Sequence, residues 1–176
     1  TTNNESLYKA MKSIKNFGRD LDDSGLCVNP NGINYKINEF TGLLGSLECE
    51  RVESRIKKRN ELVERYVQNL SNTTYKPILQ ENGYCSYYKF ICMTSVDRKF
   101  LRKFCADNNI SLTGEVYKIP IHKQPLYKEL YNDRDFQITD FVCNNHICPP
   151  LYPELNLNEI DYICDILLKA EIFFEG

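Results

Sequence analysis

The chain has 176 residues, of which 42% are hydrophobic and 26% charged, with a formal net charge of −2. That balance fits a soluble globular protein with one sizeable core, gives a nucleic-acid role no electrostatic support, and holds no apolar run near the roughly 20 residues that cross a bilayer. No signal-peptide pattern is present, and the eight cysteines include Cys49, Cys92, Cys105 and Cys164, set singly in apolar segments; the pattern reads as free, buried thiols in a reducing cytosol.

Leu7, Met11 and Ile14 recur at helical spacing behind Asn4 and Glu5, which predicts a first helix of about three turns. The stretch FGRDLDDSGLCVNPNGIN, rich in Gly, Asp, Asn and Pro, is loop. From Asn38 to Leu70 there is no proline, and Leu43, Leu44, Leu47, Val52, Ile56, Leu62, Val63, Tyr66, Val67 and Leu70 keep a helical period. This predicts one long helix, bent near Glu48, with its charged half from Glu50 to Arg65 partly solvated and laced with i,i+4 pairs. Tyr75 to Leu79 and Ser86 to Thr94 read as strands. Asp97 caps a helix that buries Phe100, Leu101, Phe104 and Cys105, and a strand near Leu112 to Tyr117 follows. The last helix opens with Asn156 and Glu159 at capping-box spacing and buries Ile160, Ile163, Cys164, Leu167 and Leu168. Together these elements give an α+β architecture: a long bent helix on a small, mainly antiparallel sheet with flanking helices.

Three stretches carry candidate chemistry. In GINYKINEF, Gly32 to Phe40, Asn38 suffices as the helix cap. Asn34 and Lys36 are then left on the loop before a helix N-terminus, where anions are often held. The plain reading is a glycine turn, a capping asparagine and a solvated lysine. In IPIHKQPLY, Ile119 to Tyr127, two prolines favour an extended backbone that would aim His122 and Gln124 to one side. The plain reading there is a satisfied loop histidine. Cys143-Asn-Asn-His146-Ile-Cys148 crowds three potential ligands into six residues, whereas zinc takes four in tetrahedral array, so no metal is expected. No GxSxG, P-loop, GxGxxG, HExxH or paired CxxC occurs.

The succession KNFGRD, NGINYKINEFTGLLGSLECERVESRIKKRNELVERY, PIHKQPLY and CPPLYPELNLNEID resembles the C-terminal portion of the DegT/StrS family of sugar-nucleotide aminotransferases. No single motif is diagnostic, but the four stand in family order along nearly the whole chain. The resemblance implies the aspartate-aminotransferase (fold-type I) architecture. Residues 1–70 would form the interface helices and cofactor-phosphate loop, and residues 71–176 the small C-terminal domain. It also implies pyridoxal 5′-phosphate as cofactor, a keto sugar nucleotide as substrate, an amino-acid donor (typically glutamate), a homodimer and a cytoplasmic enzyme, with no nucleic-acid or membrane partner. In such enzymes the asparagine of this segment bonds the partner subunit's cofactor phosphate, a position that Asn34 matches. The basic residue after it lies near the arriving sugar nucleotide; the family usually has Arg there, and Lys36 offers a point charge without the bidentate fork. His122 and Gln124, with Tyr117 and Lys118 just upstream, would lie near the substrate diphosphate.

The family's Schiff-base lysine, and the acidic partner of the pyridine nitrogen, belong upstream of KNFGRD. The chain begins without Met and is therefore read as cut from a longer enzyme, inactive by itself. A sugar dehydratase of the same family, with histidine in place of that lysine, is the alternative within the resemblance. A stand-alone interaction module is the alternative outside it.

Overall fold

A computed structural model describes residues 1–21, 26–112, 115–116, 118–131 and 134–175, with the backbone alone for residue 175. Its contacts cluster into two compact units, Thr1–Arg51 and Val52–Gly176.

In the first unit, helix α1 (Glu5–Lys15) starts where Asn4 Oδ1 accepts the Leu7 N–H at 2.9 Å. It ends because Phe17 and Gly18 adopt φ of 60° and 72°. The chain then returns against the end of α1: the Ile33 N–H donates to the Ile14 carbonyl and the Tyr35 N–H to the Lys15 carbonyl. Asn16 and Asn34 face each other in an antiparallel bridge. This crossing needs glycine, since a Cβ on Gly32 would lie 2.1 Å from the Gly18 nitrogen. Helix α2 (Glu39–Asn69) opens with Asn38 Oδ1 accepting the Thr41 N–H, as the sequence predicts, and runs unbroken for 31 residues.

The second unit holds the core. Strands β1 (Lys76–Pro77), β2 (Cys92–Met93) and β3 (His146–Ile147) form an antiparallel sheet in that order. Around it stand the second part of α2, α3 (Arg98–Asp107), α4 (Gln137–Asn145) and α5 (Leu157–Glu175). Leu62, Tyr66, Phe90, Leu101, Ile160 and Leu167 are fully buried between them. Tyr66 stacks on Phe90 at 4.6 Å and donates its hydroxyl to the Pro150 carbonyl at 2.8 Å, so the burial of this phenol leaves no polar group unpaired. Arg65 clamps Asp161 through both carboxylate oxygens at 2.6 and 2.7 Å, tying α2 to α5. Asn156 and Glu159 make both reciprocal bonds of the expected capping box.

Several expectations are corrected. Tyr75–Leu79 and Ser86–Thr94 contribute only two ladder residues each. Pro77 has no N–H for the ladder, and Tyr87 leaves the extended region at φ 40°. Of the strand expected at Leu112–Tyr117, residues 113, 114 and 117 lie outside the described residues, and Leu112, Glu115 and Val116 are not in a strand. Within α2, Arg51 pairs with Glu48 and Lys58 with Glu61, each three residues apart. Cys49 is exposed, whereas Cys92, Cys105 and Cys164 are buried as expected; burial raises the Cys105 thiol to about 11 and the Cys164 thiol to about 12.

Candidate functional site

The first cluster lies in the unit formed by residues 1–51. The bridge to Asn16 holds the Asn34 backbone, while its side chain is exposed and makes no hydrogen bond among the described residues. Its amide donors are therefore available to a ligand oxygen. The Lys36 ammonium lies 5.7 Å above the Phe17 ring, and the Arg19 guanidinium is also 5.7 Å from that ring. Two cations on one aromatic ring, with a free amide two residues before one of them, are groups suited to an anion. A phosphate group fits these donors. Sequence reasoning missed Arg19, because nothing local shows that Phe17 gathers both cations.

The second cluster lies in the unit that begins at Val52. Pro120 and Gln124 are extended, but Ile121–Lys123 between them form a 3-10 turn. With about three residues per turn, side chains two apart diverge, so His122 and Gln124 do not share a side as expected. Gln124 turns back and donates to the Ile119 carbonyl at 3.1 Å. The His122 ring stacks on Phe136 at 4.7 Å, and its Nε2 lies 3.1 Å from Asp140 Oδ1. Lys123 Nζ reaches the other Asp140 oxygen at 2.7 Å. The hydrogen bond from Lys123 is the largest influence holding the Asp140 carboxyl below the usual range, and the charges of Lys123 and His122 add to it against desolvation. A cavity of about 490 Å³ opens here, lined by Ile121, His122, Tyr131, Arg134, Phe136 and Thr139 among others, with no carboxylate among its described lining residues. Lys118 is exposed, and Tyr117 lies outside the described residues.

His146 belongs to neither cluster. It is buried, its Nδ1 lies 2.7 Å from the Val142 carbonyl, and its Nε2 accepts the Val116 N–H at 3.1 Å. A carbonyl can only accept and an amide N–H only donate, so the hydrogen sits on Nδ1 and both nitrogens are engaged. Among the described residues no His, Cys, Asp and Glu group is arranged to hold a metal ion, and no helix is long and apolar enough to cross a membrane.

A family model for the DegT/DnrJ/EryC1/StrS aminotransferase family matches residues 1–168. GDP-perosamine synthase from Escherichia coli O157:H7 is 23% identical over 172 residues, covering 93% of this chain and 44% of that protein. Helicobacter pylori PseC, an aminotransferase involved in the biosynthesis of pseudoaminic acid, superposes with a TM-score of 0.82 at 21% identity, over 98% of this chain and 48% of its own. NtdA from Bacillus subtilis, solved with bound cofactor PMP, reaches a TM-score of 0.86 at 21% identity, over 98% and 41%. The chain thus spans less than half the length of each of these proteins, and its fold is the α+β fold of their C-terminal part.

Proposed function

This chain belongs to the DegT/DnrJ/EryC1/StrS aminotransferase family, and on that premise we propose that it is the C-terminal part of a pyridoxal-phosphate-dependent enzyme. The proposed reaction moves an amino group, with glutamate as donor, onto a keto sugar nucleotide in the cytoplasm. The observation that supports this reading most strongly is the family match over residues 1–168, which runs through both units. When bound, the cofactor supplies the electron sink that lets an amino group change partners. The proposal assigns residues 1–70 to the subunit interface and the cofactor-phosphate loop, and residues 71–176 to the small domain.

In this reading Asn34 donates its amide to the phosphate of the cofactor held by the partner subunit of a homodimer. Lys36 and Arg19 supply positive charge beside it, and Lys36 attracts the phosphates of the incoming sugar nucleotide. Lys118, His122 and Gln124 are assigned to the substrate side; Tyr117, which the resemblance gives the same role, lies outside the described residues. The covalent lysine lies outside these residues, so the proposed role of this chain is to orient and hold, and the chain alone is not expected to transaminate.

Asn34→Ala in the full-length enzyme is the direct test. Losing a hydrogen bond to a charged phosphate costs about 1.5–3 kcal/mol, hence roughly ten- to a hundredfold weaker cofactor binding. Mixed dimers should restore half of the sites, because the defect lies in the neighbour's pocket. Unchanged cofactor affinity in Asn34→Ala would overturn the assignment. Lys36→Ala should instead raise KM for the sugar nucleotide, and the effect should shrink as salt screens an exposed charge.

A further inference from the structure

Resting on the substrate reading of His122, we propose that Asp140 is a positioning residue: it fixes the His122 ring with its hydrogen on Nε2 and leaves Nδ1 as an acceptor offered to a hydroxyl of the nucleotide. The ring is held on two sides, by Phe136 at 4.7 Å against its face and by Asp140 Oδ1 at 3.1 Å from Nε2. A carboxylate at that distance places the hydrogen on Nε2 in the neutral ring. Among the described residues, Nδ1 has no partner.

The cavity that His122 borders is suited to such a ligand. Arg134, Tyr131 and Thr139 supply donors, Phe136 and Ile121 supply apolar walls, and no carboxylate lines it among the described residues. Both oxygens of Asp140 are taken, one by His122 and one by Lys123. Asp140 thus holds His122, which borders a donor-rich cavity, and the neighbouring Lys123. This arrangement takes a phosphate-bearing ligand with a planar or apolar body. Asp140 lies eighteen residues from His122, on a different helix, and the contact arises only in the folded unit.

Two measurements test the proposal. In this chain labelled with 15N-histidine, which contains only His122 and His146, ring shifts report both tautomers. Wild type should show His122 as a single Nε2–H form and His146 as Nδ1–H. Asp140→Ala should scramble the His122 signal while His146 stays fixed, which also shows that the unit is folded. Asp140→Glu should restore the His122 signal in part. In the full-length holoenzyme, Asp140→Ala should weaken binding of uridine diphosphate or guanosine diphosphate, whichever binds wild type more tightly, by at least fivefold. An unchanged His122 tautomer in Asp140→Ala, or unchanged nucleotide affinity with a scrambled tautomer, overturns the proposal. If His122→Ala leaves affinity unchanged, the substrate reading of His122 fails and the proposal falls with it. The Asn34 experiment reads cofactor binding and stands or falls independently.

Discussion

Asp161 accepts from Arg65 and Asn69, and those hydrogen bonds, Arg65 first, hold its carboxyl down at about 2. The sign follows from linkage: a carboxyl lowered on folding stabilises the native state above its unfolded value near 3.9, and that contribution is lost as pH falls toward about 2. Asp161→Asn should therefore lower Tm at neutral pH, and the gap to wild type should close in acid. A gap that stays constant from about pH 7 to about pH 2 would refute the link. Gly32 offers a second single-residue test. A Cβ there meets backbone atoms of Phe17 and Gly18 at 2.1–2.5 Å, and backbone cannot swing aside. Gly32→Ala should cost about 3 kcal/mol, the upper end of overpacking penalties. Hydrogen exchange at the Phe17, Ile33 and Tyr35 amides should speed up while core amides of the other unit stay protected. At this scale the caps were legible, because Asn4, Asn38, Asp97 and Asn156 act within three residues along the chain. The partners of His122 and Arg65 were not, since Asp140 and Asp161 come from other helices.

Helix α2 shows what period alone conveys about an element. Its existence was legible from the proline-free apolar repeat, but that repeat does not say which apolar residues are covered. In the structure Phe40, Leu43 and Leu44 are 59–80% exposed, whereas Leu62, Val63 and Tyr66 are buried. Leu62→Ala should cost about 2–5 kcal/mol in urea unfolding, and Leu44→Ala no more than about 0.5 kcal/mol. Equal costs would mean that the first half of α2 is also packed in the isolated chain. Helix α4 was missed altogether. Phe136 at its N-cap provides no side-chain bond, and its apolar Ile138 and Phe141 are 82% and 61% exposed, so neither a start signal nor a buried stripe marks it. Its importance lies in Asp140 and Cys143, whose carbonyl accepts from Arg98 at 2.8 Å.

For the molecule as a whole, the exposed apolar face of α2 agrees with a chain that spans less than half of its relatives' length. The isolated chain should bind pyridoxal phosphate without a preferred lysine. Incubation with cofactor followed by borohydride reduction should give scattered, substoichiometric labelling by mass spectrometry. One lysine labelled at full stoichiometry would show that this chain carries its own anchor. The family itself was legible in the sequence, through four short motifs in order, none of which is distinctive alone.

What the sequence determined by itself is local or serial: helix caps, helical periods, and the order of motifs along the chain. These need only neighbours a few residues apart, or a linear comparison. What the tertiary structure decided is contact across distance. It shortened the strands to two residues, turned His122 away from Gln124, closed both nitrogens of His146 with backbone groups, and set Asp140 against His122. The physical reason is that a side chain's charge state, tautomer and exposure depend on what folding brings within about 3 Å of it, and sequence spacing does not encode that distance.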